Sequence, residues 1–194
     1  MPLREQDFAN LIIYNLQHTS KDLYHELLNG GRLGFTMMTI NIIAILNGRA
    51  PLINPNNHTF TVGLNGPYSK DLMDRYDSWE SDDHLLKHKI LNDYKLDPKT
   101  YKISLIHKFN IDDFPTDLHV FISKFARPLY DAYCYDFIDI YRQEPQWQLT
   151  NEINKANPGW SYPAYDINHA VYFFKQHPQL QFWKEATDSW INQL

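Results

Sequence analysis

A mainly α fold, α+β only through one small antiparallel β-hairpin, is the class this sequence predicts, and three observations predict it. Apolar residues recur at helical spacing along most of the chain. The run TMMTINIIAIL is oily on nearly every side, and one short stretch alternates with the period of a strand. With 194 residues, 43% of them hydrophobic and 15% aromatic, the chain can build a real core, and disorder is excluded as its general state. No linker-like composition interrupts it, so a single compact helical domain over 1–194, with a helical C-terminal extension from about 161, is expected.

Each element has its own local reason. Phe8, Leu11, Ile12 and Leu16 fall on one face, predicting an amphipathic helix from about Arg4 to Gln17. Ser20 can cap a second helix that ends near Asn29-Gly30-Gly31, where glycine tolerates positive φ. Thr36 to Leu46 reads as the central helix of the core, stopped by Asn47-Gly48. Ala50 to Ile53 is expected as an edge strand paired with Thr59 to Leu64, in which Phe60, Val62 and Leu64 face inward. Gly66-Pro67-Tyr68 then reads as a turn, with Ser69 capping a helix that carries Leu72, Met73, Tyr76 and Trp79.

Another helix is predicted from Ser81 or Asp82 to about Tyr94, ended by Asp97-Pro98. Residues 101–109 fit strand and helix patterns equally: Tyr101, Ile103 and Leu105 alternate, while Ile106 and Phe109 continue a helical spacing. From Pro115 onward the prolines mark helix starts, giving helices over Thr116–Ala126, Pro128–Arg142, Pro145–Lys155, Pro163–Gln176 and Pro178 to the end. Pro128 could instead lie within one longer helix.

Charge and cysteine content narrow the function classes. Eighteen basic residues against 23 acidic ones give a net charge of −5, which argues against a dedicated nucleic-acid surface. A single cysteine, Cys134, rules out an internal disulfide, and the expected compartment is a reducing cytoplasm. The longest apolar run, Ile40 to Leu46, is interrupted by Asn41 and is too short to span a bilayer.

Chemical motifs are sparse. His84 and His88 are spaced to share a metal on a helix, yet the glutamate of HExxH is missing and no third ligand is marked. Cys134 lies between apolar helix positions and reads as a small hydrophobe. Asp136 and Asp139 stand one turn apart, as on the wet face of a helix. Gly30-Gly31-Arg32-Leu33-Gly34 lacks the preceding strand of a phosphate loop, and no P-loop, dinucleotide fingerprint, nucleophile elbow or CxxC occurs. No catalytic residue, metal ligand or cofactor is assigned.

Two features remain. Asp71, Asp74, Asp77, Glu80, Asp82 and Asp83 form an acidic run containing only Arg75 as a base, a surface suited to steering a basic partner. Aromatics crowd the last quarter (Trp147, Trp160, Tyr162, Tyr165, Tyr172, Phe173, Phe174, Phe182, Trp183, Trp190), and Tyr172, Phe173 and Phe174 cannot all face one side of a helix.

Taken in order, DFANLII, TMMTINIIAIL with the following Gly48 and Pro51-Leu52, HTFTVGLNGPYSKDLMDRY and FIDIYRQEPQWQLTNEINKANPGW resemble the Panacea domain family over residues 7 to about 160. The chain departs from that pattern at Thr39, Ile42 and Ile45, where the family carries lysines and a tyrosine, and at Ile153-Asn154, where it has a Thr-His pair. The resemblance implies a non-enzymatic, antitoxin-like protein of bacterial or prophage origin that neutralises a toxin by direct contact. Pro67, Tyr68, Lys70, Asp71 and Asp74 are the expected partner-binding residues, with Tyr68 as anchor and the aspartates as steering charges. A DNA-binding regulator with a winged-helix-like element, using Lys87, Lys89, Lys95, Lys99 and Lys102, is the alternative. A metal-dependent enzyme built on His84 and His88 is a third reading.

Overall fold

The structure, a computed structural model, describes residues 2–19, 30–54, 60–63, 66–69, 94–96, 103–105, 110–131, 135–158 and 163–177. Six α-helices account for most of these: α1 (Glu5–Thr19), α2 (Gly30–Leu46), α3 (Thr116–Asp131), α4 (Tyr135–Arg142), α5 (Pro145–Ala156) and α6 (Ile167–Gln176). Two short antiparallel pairs complete the description, β1 (Phe60–Gly63) with β2 (Gly66–Ser69) and β3 (Tyr94–Leu96) with β4 (Ile103–Leu105). The predicted class, mainly α with one small antiparallel hairpin, is observed, and the β3–β4 pair adds to it.

Helix α2 is the centre. Leu33, Met37, Ile40 and Ala44 are wholly buried, and the helix packs against α1, α3, α6 and β2. An all-round apolar helix has no wet face to offer, so it is stable only when enclosed in this way. From α1, Phe8, Leu11, Ile12 and Leu16 meet Ile122, Ala126 and Leu129 of α3 in one continuous core. The helix ends at Gly48, whose φ of +76° is the left-handed conformation of a C-terminal cap. There the Arg49 amide donates to the Ala44 carbonyl and the Gly48 amide to that of Ile45, each at 2.9 Å, the pair of bonds of a Schellman motif.

Several expectations are corrected by contacts distant in sequence. Gly30 and Gly31 lie within α2, and the helix expected from Ser20 falls outside the described residues. Ala50 to Ile53 is not the partner of β1. The Asn41 side chain takes its amides instead, with Oδ1 accepting from Leu52 N at 2.7 Å and Ile53 N at 3.3 Å. The hairpin is formed by β1 and β2, paired from Phe60 with Ser69 to Gly63 with Gly66. Residues 103–105 are strand, and Tyr94 begins β3 where the end of a helix was expected.

In the C-terminal half, α3 runs through Pro128, so of the two alternatives at that residue a position inside the helix, and not a helix start, is the one observed. Pro145 does open α5, at a position where a missing N–H costs no bond. Pro163 does not open α6. Its carbonyl accepts from Val62 N at 3.0 Å, and Tyr165 N donates to Phe60 O at 2.9 Å, so residues 163–165 lie along the free edge of β1. The helix starts only at Ile167, after Asp166, whose carboxylate accepts from the amides of Asn168 and His169. Among the described residues no helix is long and apolar enough to cross a membrane.

Candidate functional site

The segment Gly66-Pro67-Tyr68-Ser69, expected as an exposed turn and cap, is strand β2 and largely interior. Gly66 adopts a φ of +117°, and its α-carbon faces the Tyr141 ring so closely that a β-carbon would stand 3.4 Å from Cγ. Pro67 is buried and does not present a contact surface. Ser69 is also buried, and its hydroxyl donates to Glu5 Oε1 at 2.6 Å, tying the strand to the first turn of α1. The run it was expected to cap lies outside the described residues. Tyr68 sits opposite Thr61 in the pair, and its side chain, with Lys70, Asp71 and Asp74, lies outside the described residues. His84, His88 and Cys134 lie outside them as well. Asp139 is exposed and paired with Arg142 at 3.1 Å, as a wet helix face implies.

The most distinctive polar cluster was not anticipated from the sequence. Glu144 occupies the residue before α5, where a short side chain normally caps the helix, yet its carboxyl makes no cap bond. It is fully buried and turned toward the segment that precedes α6. Tyr165 OH donates to Oε2 at 2.8 Å, and the Gln146 amide donates to Oε1. The orientation of Gln146 is set by the backbone of Asp166, with Nε2 donating to its carbonyl at 2.9 Å and Oε1 accepting from its amide at 3.0 Å. Gln146 therefore reads both backbone groups of one residue and holds Glu144 with the same amide.

Tyr141 extends the cluster toward α2. Its hydroxyl shares a 2.9 Å hydrogen bond with Thr39, and its ring packs edge to face against Phe35 and Phe174 with centroids 5.2 and 5.0 Å away. Burial is the main influence on the ionisation of all three groups. It pushes the Glu144 carboxyl up to about 7, against the opposing effect of the bonds from Gln146 and Tyr165, with the Asp166 charge adding to the rise. Burial raises the Tyr141 phenol, opposed by the bond from Thr39 and reinforced by the nearby carboxylate. The Tyr165 phenol is raised by burial and then by Glu144.

A carboxyl shifted in this way has the chemistry of a general acid or base. Here the geometry withholds it from substrates: Glu144 is wholly inaccessible, Tyr141 is 2% exposed and Tyr165 is 7% exposed. The cluster fastens α4, α5 and the 163–166 segment together. Elsewhere a cavity of about 520 Å³ lies between Pro2, Leu3, Pro51, Leu52, Pro115 and Leu118, beside Arg49 and Asp117. Those two charges bond to each other at 3.1 Å, and the guanidinium also lies 4.6 Å over the Phe121 ring. Its other walls are apolar and carry no nucleophile or base.

Other polar and aromatic residues take structural roles. His119 Nε2 meets Asn15 Oδ1 at 3.0 Å; because Asn15 Nδ2 is committed to the Leu11 carbonyl at 2.7 Å, that histidine nitrogen must carry the proton. Among the aromatic triplet, Phe174 is buried, Phe173 is half-buried and Tyr172 is exposed. Trp160, Tyr162, Phe182, Trp183 and Trp190 lie outside the described residues. Among the described residues, no group of three or more His, Cys, Asp or Glu side chains could hold a metal ion. Compared with family models, curated proteins and solved structures, the chain has no match.

Proposed function

We propose that the chain is a non-enzymatic, antitoxin-like binding domain that neutralises a toxin by direct contact, with the acidic run from Asp71 to Asp83 as its docking surface. The observation that supports this reading is the way β2 delivers the chain to that run. Ser69 is buried and bonded to Glu5, and Gly66 is seated on Tyr141, so the acidic segment departs from a fixed point on the helical body. Clustered negative charge of this kind speeds encounter with a basic partner and selects against acidic ones. Three interior polar contacts, by contrast, join elements: Glu144 with Tyr165, the Asn41 carbonyl oxygen with Leu52 and Ile53, and Tyr141 with Thr39.

The resemblance to the Panacea family agrees with this reading, and its bacterial or prophage origin and cytoplasmic setting belong to the same proposal. Tyr68 and Lys70 are proposed contacts next to the run in sequence, while Pro67, which is buried, belongs to the stem. Co-expression with the products of adjacent genes tests the proposal: a stable complex is expected, weakened at low salt by D71K/D74K and less so at high salt. Failure to recover any complex, or a complex indifferent to the double charge reversal at low salt, refutes it.

A further inference from the structure

We propose that Glu144 is a proton-operated latch, which fastens the Pro163–Gln176 segment to α5 when the carboxyl is neutral and loosens it when the carboxyl is charged. Among the described residues the segment is held to the body by two backbone bonds to β1, two bonds between Gln146 and the Asp166 backbone, the Tyr165–Glu144 bond, the buried side chains of Ile167, Ala170 and Phe174, and the partly buried Val171 and Phe173. Glu144 is the one ionisable member of that set whose charge would be wholly removed from water.

Tyr165 OH and Gln146 Nε2 both donate to the carboxyl, so its neutral form requires one of these bonds to reverse. Gln146 is held by Asp166 with Nε2 toward Glu144, so Oε1 must accept, and the neutral acid carries its proton on Oε2, facing the Tyr165 oxygen. The phenol then accepts where it would otherwise donate. On ionisation the same two neighbours can both donate, but two neutral hydrogen bonds are weak compensation for a buried charge.

The surrounding charges do not supply the difference. From the segment itself comes Asp166, whose negative charge opposes ionisation, together with the Tyr165 phenol; α4 offers the Tyr141 phenol. Arg142, also on α4, is engaged with Asp139 and lies 5.9 Å over Trp147. Lys155 of α5 and His169 of α6 are exposed, and no charged side chain of β1 or β2 faces the carboxyl among the described residues. The position of Glu144 titration near neutrality, set by burial, places the latch within an accessible pH range.

Amide hydrogen exchange of the full chain between pH 5 and pH 8, corrected for the intrinsic rate, tests the latch. Protection of residues 163–176 is expected to fall by roughly tenfold to a hundredfold across that range. At pH 8 these residues should exchange faster than residues 36–46 of α2, because the segment opens without global unfolding. In E144Q the fall should disappear. A slope unchanged in E144Q, an absent slope in the parent chain, or equal protection of the two regions at every pH overturns the proposal. Should E144Q fail to fold, carboxyl NMR of the parent chain decides: a midpoint near 7 supports the latch, and one near 4.5 overturns it.

Discussion

Replacing Gly66 with alanine isolates what the Gly-Pro step contributes. The φ of +117° is a conformation that side chains rarely adopt, and backbone placements of this kind cost about 1–3 kcal/mol for a residue other than glycine. The new methyl group would meet Tyr141 at 3.4, 3.5 and 3.7 Å, which is van der Waals contact and adds little repulsion. Strain in the backbone therefore dominates, and G66A should lose about 2 kcal/mol, with the Tm falling by about 4–8 °C for a chain of this size. The matched control is G48A, where φ is +76° and no atom lies within 4 Å of the added carbon. It should lose about 1–2 kcal/mol from left-handed strain alone. Urea denaturation at a fixed pH gives both values, with the m-value expected to stay unchanged. A loss below about 0.5 kcal/mol in G66A would show that this glycine is not held in a strained conformation, and the fixed stem inferred for β2 would go with it.

Two further outcomes follow from buried polar groups. N41A removes the acceptor for Leu52 and Ile53 amides and leaves a small void in the core, so a loss of about 2–4 kcal/mol is expected by the same denaturation assay; parity with the parent chain would mean that water takes over both amides. For Glu144, the folded chain keeps its proton up to about pH 7, whereas the unfolded chain releases it near 4.5. The folded state thus binds the extra proton between those values, so stability declines as pH rises through them, by about 3 kcal/mol at most, and levels off above the upper one. Stability curves of the parent chain and E144Q at pH 5, 6, 7 and 8 should therefore differ in slope; coincident slopes would place the carboxyl in water.

The elements legible in the sequence are those decided within a few turns of chain. Phe8, Leu11, Ile12 and Leu16 announce α1, the oily run announces α2, and Asn47-Gly48 announces its end, because spacing and capping are local. The strand pairing was misread because it is settled far away. Ala50–Ile53 has the composition of an edge strand, but Asn41 satisfies its amides, and the polar interruption of an apolar helix was the visible sign of that role. Gly66-Pro67 suits a helix entrance equally well until Tyr141 is placed against it.

Glu144 was illegible for the same reason. Sequence shows only an acid before a proline that begins a helix; its burial is decided by Tyr165, 21 residues later. An acidic residue at a capping position, with the tyrosines of Ser161-Tyr162-Pro163-Ala164-Tyr165 later in the chain, is the faint signal that was available. Nothing in local propensity distinguishes a carboxylate that caps from one that turns inward.

The arrangement around β1 has a consequence for how the chain is made. One edge of the strand is completed almost at once by β2, but the other must wait until synthesis has travelled from Phe60 to Tyr165. Throughout that interval a ribosome-bound chain displays an unclosed strand margin beside apolar side chains, the kind of surface to which a holdase chaperone or a second nascent copy adheres. Slow decoding or truncation before residue 163 should therefore favour aggregation over release of a shortened soluble product.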